Sequence, residues 1–268
     1  MKRLQLPILI FFAICQGSCH VEQTSKSPHV ARVFPSSDTL PSNLMRMYIQ
    51  FSEPMKTVGN LEKIRLVNQN GQEVTGAIFN NVYELWDEDQ KQLTLIFDPA
   101  RVKTGLQANE DLGRALKVNQ SYELILENLE TINHIKIEPA VKHFYVVPAD
   151  TVQPNIEKWN IQVPKPATLE PLTVSIPEMA DWMSLLHKVR ITNEREENID
   201  GTVEIRNAEK EWVFVPIKKW QQGKYSIFAS ARFADPAGNN LNGLFDHDVG
   251  SLRFESEDQI IKRTFEIK

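Results

Sequence analysis

One stretch of this chain is written twice. Residues 47–78 (MYIQFSEPMKTVGNLEKIRLVNQNGQEVTGAI) and residues 172–203 (LTVSIPEMADWMSLLHKVRITNEREENIDGTV) align without a gap at a constant offset of 125, 172 standing against 47. Met47, Ile49 and Phe51 fall on Leu172, Val174 and Ile176; Ile64 and Leu66 fall on Val189 and Ile191; Gly76 falls on Gly201. Apolar residues recur at every second position on both sides of a linker and again after a polar turn, which is the period of half-buried strands. A strand, linker, strand, turn, strand unit present twice implies two copies of one β domain in tandem. The 268 residues are enough for two domains with separate cores.

The N-terminus suggests an address. Lys2 and Arg3 precede an apolar run over residues 6–15, and the small residues Gly17 and Ser18 then lead to Cys19. The run is too short for a spanning helix and reads as a secretory signal. Small residues before a Cys at the end of such a run resemble the lipobox of bacterial lipoproteins, although Gln16 stands where that box usually has Leu. The resemblance implies cleavage of residues 1–18, acylation of Cys19 and a membrane anchor. Removing Lys2 and Arg3 makes the formal charge of −5 more negative. A mildly acidic chain without a basic patch argues against nucleic acid. No cysteine follows Cys19, so the remaining chain has neither an internal disulfide nor a thiolate metal site.

In chain order, residues 19–30 read as a lipidated polar tether, 31–150 as domain 1 and 151–268 as domain 2. Residues 32–35 open an edge strand, 36–43 form a turn cluster, and strands follow at 45–51 and 63–68. Asn70-Gly71 signals a type I′ hairpin, with a return strand at 73–79. The alternation Leu93, Leu95, Phe97 makes another strand, ended by Pro99, and Tyr122, Leu124 and Leu126 a further one. Between these last two lies a segment absent from the second copy, residues 101–119. There Asn109 with Glu110 and Asp111 suggests a capped helical turn before Leu112. Domain 2 repeats the pattern, with strands expected near 161–163, 172–176, 188–192, 201–206, 211–215, 224–229, 251–255 and 261–267, and a helical turn within 179–187.

Phe51-Ser52-Glu53-Pro54-Met55 after the second strand, and Asp235, Gly238, Asn239 and Leu241 near the end of the chain, resemble bacterial Ig-like domains of the S-layer-protein type. The expected fold class is therefore all-β: two tandem Ig-like β-sandwich domains after a lipoprotein signal peptide. Such sandwiches host many roles, so the resemblance carries little about activity.

Candidate chemistry is sparse. Phosphate loops, HExxH and GxSxG are absent, and six histidines are scattered. Some Ig-like periplasmic proteins hold copper through an N-terminal His, but His20 would follow an acylated residue. Asp235, Asn239, Asp246 and Asp248 could offer oxygens to Ca²⁺, although Asp-Pro-Ala-Gly-Asn is more often a turn. Asp87, Glu88 and Asp89, and Glu194, Glu196 and Glu197, sit at hairpin tips. Paired acids there can serve a hydrolase only across a cleft; on tips they are usually solvated and guard strand edges. The inserted loop offers Gly105, Leu106, Asn109, Glu110 and Leu112 as partner contacts. Trp86, Trp182 and Trp220 fall near strand ends as possible exposed contacts, whereas Trp212 alternates with Phe214 into the core. The sequence thus leads to a non-enzymatic, cofactor-free envelope lipoprotein that binds or scaffolds another envelope protein. A glycan-binding accessory protein using the loop tryptophans is the alternative, and a hydrolase with an unrecognised site a third reading.

Overall fold

The structure, a computed structural model, describes residues 27–80, 83–247 and 260–268. Two hydrophobic cores divide it. The first draws on Leu40 through Val146 and the second on Ile156 through Ile267.

Around the first core, β1 (Val30–Phe34), β3 (Arg46–Phe51), β6 (Gln92–Ile96) and β5 (Leu85–Trp86) form one sheet in the order β1-β3-β6-β5. The facing sheet contains β2 (Thr39–Pro41), β8 (Ala140–Val147), β7 (Ser121–Leu126) and β4 (Ile64–Asn68), in the order β2-β8-β7-β4. All neighbours are antiparallel except β2 with β8. Met47, Ile49 and Phe51 on β3 meet Leu66, Leu124 and Phe144 from the opposite sheet inside the core. Each fully buried aliphatic side chain there contributes about 1.5–3 kcal/mol of transfer free energy.

Domain 2 repeats this layout. One sheet has β9 (Asn160–Gln162), β10 (Leu172–Ser175), β13 (Glu211–Pro216) and β12 (Gly201–Arg206), in the order β9-β10-β13-β12. The other has β11 (Val189–Asn193), β14 (Gly223–Ser230) and β15 (Ile260–Ile267). The seven strands pair as A-B-E-D and C-F-G, the Ig-like arrangement. Both domains also carry a tyrosine near the start of the corresponding strand, Tyr122 on β7 and Tyr225 on β14, that ties back to the preceding loop. Tyr122 Oη accepts from Lys117 N at 2.8 Å, and Tyr225 Oη donates to Gln221 O at 3.1 Å.

Several local expectations are corrected. The 36–43 turn cluster contains β2, whose Leu40 is buried by parallel pairing to β8. The return at 73–79 makes only isolated bridges, Val67 to Glu73 and Ile78 to Phe97, so domain 1 lacks the full strand that β12 provides in domain 2. Asn70 does not take positive φ, so the turn is not type I′. Gly71 alone is left-handed (φ 75), its N–H bonds to Asn68 O at 2.9 Å, and the Asn68 side chain accepts from Asn70 N and Gln72 N. Pro99 starts α1 (Pro99–Val102), capped by the Asp98 carboxylate, rather than only ending a strand. In α2 (Gln107–Leu112) Asn109 lies inside the helix and its amide donates to Arg101 O, so it is not the cap. The helical turn in domain 2 is α3 (Trp182–His187), capped by Asp181. The expected strand at 251–255 lies outside the described residues. Among the described residues no helix is long and apolar enough to cross a membrane.

Candidate functional site: the seam between the domains

The strongest concentration of buried polar groups lies where three loops of domain 2 meet domain 1. The outer face of β3 carries Arg46 and Tyr48 because strand alternation turns Met47 and Ile49 inward. Asp181 approaches that face from domain 2. Its Oδ2 accepts from Tyr48 Oη at 2.7 Å and lies 3.8 Å from Arg46 Nε, while its Oδ1 caps α3 through Ser184 N at 2.8 Å. Asp181 is 3% exposed, so one buried carboxylate accepts two hydrogen bonds and faces the half-exposed Arg46 guanidinium. Burial raises the Tyr48 hydroxyl pKa, and the neighbouring Asp181 charge adds to it.

Next along α3, Trp182 stacks on Phe34 at 4.3 Å and 13°, and meets Tyr48 at 6.0 Å. Met183 Sδ accepts from Gln92 Nε2 at 3.3 Å. The second loop is the β12–β13 turn, where Asn207, Ala208 and Glu209 all have positive φ. Three successive non-glycine residues in that region are strained, and the turn carries the Glu209 carboxylate to Ser36 N at 2.9 Å. Burial raises the Glu209 pKa. Lys142, beside the carbonyls of Ser36 and Ser37, is lowered by burial.

The third loop follows β14. Pro236 O accepts from Met45 N at 2.8 Å. Gly238 has φ 84, which favours glycine, and a Cβ there would also press on Met45 Cγ at 3.1 Å. Asp235 accepts from Asn239 N and Nδ2 at 3.0 and 2.8 Å, and burial pushes its pKa up to about 7. Asn239 in turn donates to Asp150 O, and Asn43 exchanges two hydrogen bonds with the Asp150 backbone. Met179 and Phe245 of domain 2 pack on the core of domain 1.

The inserted segment closes this seam from the domain 1 side. Asp246 accepts from Thr104 N, Thr104 Oγ1 and Arg114 Nη2 at 2.8, 2.7 and 2.7 Å. Burial works against the Asp246 charge, but the Thr104 and Arg114 donors outweigh it and hold the pKa below the ordinary value. Thr104 and Arg114 went unnoticed in the sequence, because nothing local links residue 104 to residue 246.

The residues singled out from sequence are thereby placed. Asp235 and Asn239 satisfy each other and Asp246 faces cationic and neutral donors, so these three do not converge as calcium ligands; Asp248 lies outside the described residues, as does Cys19. Among the described residues no three His, Cys, Asp or Glu side chains are grouped to hold a metal. Gly105, Glu110 and Leu112 are exposed, while Leu106 and Asn109 are half-buried within the inserted segment. Trp220 is 3% exposed and donates to Glu170 O, and is a core residue rather than a contact. Trp182 is half-buried with its ring stacked on Phe34 in the seam, and Trp86 on β5, also half-buried, tilts on Phe51 and donates to Glu84. The three rings therefore do not make one platform. Trp212, 1% exposed, is core.

Away from the seam, the outer face of β2-β8-β7-β4 holds a shallow groove of about 880 Å³, into which Val141, His143 and Tyr145 of β8 and Glu123 of β7 project. His143 Nδ1 lies 3.2 Å from Glu123 Oε1.

No protein-family model and no curated protein matches the chain in sequence. Solved structures do resemble it. CopC from Methylosinus trichosporium OB3b covers 47% of this chain and 98% of its own, at 13% identity and a TM-score of 0.31. Domains 1–6 of the surface layer protein SbsC cover 77% of this chain at 10% identity and a TM-score of 0.33, and the match takes in 24% of that chain. The N-terminal Ig1-2 module of the Drosophila receptor protein tyrosine phosphatase DLAR covers 78% of this chain and 93% of its own, at 13% identity and a TM-score of 0.27. At these identities and TM-scores none of the three lends the chain an activity.

Proposed function

We propose that the chain is a membrane-anchored envelope lipoprotein, acylated at Cys19, whose two domains act together as a non-catalytic binding or scaffolding unit. The observation that carries this reading is the seam. The titratable groups drawn out of water (Asp181, Glu209, Asp235, Tyr48) are bonded to the neighbouring domain or to their own turn, and do not converge on a cleft. Arranged so, they fix one domain against the other instead of meeting a substrate. A rigid two-domain body holds an outer sheet face such as the β8 groove in a set direction relative to the anchor. The partner expected there is another envelope protein.

The test is crosslinking in intact cells followed by recovery from detergent-solubilised envelopes, with the wild type, Cys19→Ala and Tyr145→Ala. A partner recovered with the wild type and lost with Tyr145→Ala supports a binding unit using the β8 face. Turnover of a substrate by the purified chain, lost on changing one polar cluster, would overturn the non-catalytic reading.

A further inference from the structure

The end of domain 1 away from the seam carries an apolar tip at the place where the N-terminal chain enters the fold. Two segments build it. Residues 54–60 and 129–137 are tied by Lys56 N to Glu130 O at 3.0 Å, Ile132 N to Pro54 O at 3.1 Å, and an Asn60 side chain that bonds Lys56 O and both Glu130 O and N. Val58, Ile132 and Ile135 project from this assembly, 76%, 48% and 53% exposed. His134 turns the chain between the two isoleucines with a φ of 60, and Thr131 N and Ile135 O close the turn at 3.0 Å. The tip is therefore held in shape and its apolar side chains point outward.

The N-terminal chain is clamped at the same end. Pro28 O accepts from Glu138 N at 2.8 Å, and His29 exchanges bonds with Ser52 at 3.0 Å. Glu138 is three residues from Ile135. Only residues 20–26 separate Cys19 from Ser27, and eight peptide units reach at most about 29 Å. An acyl group on Cys19 would thus confine this end, and not the far end of domain 2, to the bilayer surface.

We infer that Val58, Ile132 and Ile135 form a membrane-facing tip that enters the lipid interface beside the anchor. This rests on the reading of Cys19 as lipidated. Nearby charge is compensated: Lys56 and Lys63 each lie 3.1 Å from Glu130, His134 lies 3.7 Å from it, and Lys136 bonds Asn128. Asp87, Glu88 and Asp89 lie on the turn whose Gln90 O accepts from Met55 N, and they leave this end with an acidic rim. Apolar insertion, rather than cation attraction, is then the interaction, and an uncharged lipid surface suits it better than an anionic one.

The test uses the acylated full chain in phosphatidylcholine vesicles, with an environment-sensitive fluorophore on Ile135→Cys or Ile217→Cys. Cleavage before Cys19 removes Cys15 and acylation blocks Cys19, so no other free thiol remains. Ile217 is 68% exposed and follows β13 at the end of domain 2 away from the seam, so it serves as the control. The expected result is a blue shift at 135, several-fold stronger quenching there than at 217 by a lipid-borne quencher, and loss of the shift when Val58→Ser and Ile132→Ser are added. Equal, water-like emission at both sites on a chain that floats with the vesicles would overturn the tip and leave the anchor standing. A chain whose mass shows no acyl group at Cys19 and that does not float would remove the anchor reading and the tip with it. Phosphatidylglycerol in the vesicles should weaken the shift; a stronger shift would make attraction to anionic headgroups the interaction and overturn apolar insertion.

Discussion

The two repeats agree bond for bond in one hairpin and part company in the loops at the other end of the sandwich. In domain 1, Asn68 N bonds Gln72 O and Gly71 N bonds Asn68 O; in domain 2, Asn193 N bonds Glu197 O and Glu196 N bonds Asn193 O. The side chains of Asn68 and Asn193 accept from the same two backbone positions in each copy. At the opposite end the backbone still corresponds: Met55 N bonds Gln90 O as Ala180 N bonds Glu209 O, and both acceptor residues are left-handed. The side chains do not correspond. Lys56, Thr57 and Val58 of domain 1 stand where domain 2 has Asp181, Trp182 and Met183. With the first set, that end meets solvent and Lys56 pairs with Glu130; with the second it enters the seam. Changes of side chain on one backbone frame thus suffice to make an exposed end or an interdomain joint.

The largest effect that would break this comparison is at Asp181. Asp181→Ala strands the buried Tyr48 hydroxyl and uncaps α3, and should cost about 3 kcal/mol. Denaturant unfolding should show it, with the two domains no longer melting together. At the other end, Glu130→Gln removes a half-buried acceptor at the surface for Lys56 and Lys63, which hold its pKa down at about 2. It should cost far less, and the cost should shrink with added salt. Comparable losses at both ends would show that burial does not distinguish them.

pH separates the same two ends. The pKa of Asp235 is raised from 3.8 to about 7 by burial, so the folded state binds a proton that the unfolded chain has released. Its contribution is fully present below about pH 4 and is lost as pH rises towards 7, with a slope of at most about 1.4 kcal/mol per pH unit. Glu130 runs the other way: its lowered pKa stabilises above about pH 4.5 and that contribution is lost as pH falls towards 2. Melting temperatures measured from pH 4 to 7 should fall with pH in the wild type and flatten in Asp235→Asn. An unchanged slope in that variant would place the titration elsewhere.

The β pattern was legible because strand alternation is local: Met47, Ile49 and Phe51 declare their inward face within five residues. The duplication was legible for the same reason, since a constant offset needs no third dimension. The seam was not. Tyr48 and Asp181 are far apart in sequence, and each taken alone reads as an ordinary strand tyrosine and a helix cap. Trp220 was misplaced because its position at a loop suggested exposure, whereas Phe214 and Tyr225 enclose it. Asp235 and Asn239 looked like cation ligands because the oxygens of a self-bonded turn and of a metal loop are the same atoms in sequence.

Copying one repeat's solution into the other gives the smaller and sharper tests. Thr192 occupies the place of Val67; both are buried, and Thr192 Oγ1 has no hydrogen-bond partner. Thr192→Val removes an unsatisfied hydroxyl without changing shape and should stabilise by about 1 kcal/mol.

Glu196 occupies the place of Gly71, with φ 63 against 75. A side chain there costs about 1 kcal/mol relative to glycine, and glycine returns part of that as unfolded-chain entropy. The Lys262 contact at 3.9 Å that Glu196→Gly would delete is exposed and contributes little. The net expectation is a stabilisation of about 0.5 kcal/mol, read as a small rise in unfolding midpoint at unchanged slope. The reverse change, Gly71→Glu, should destabilise domain 1 by a similar amount. A loss with Glu196→Gly would mean that the Lys262 pair outweighs the backbone strain, and that the two hairpins share hydrogen bonds without sharing energetics.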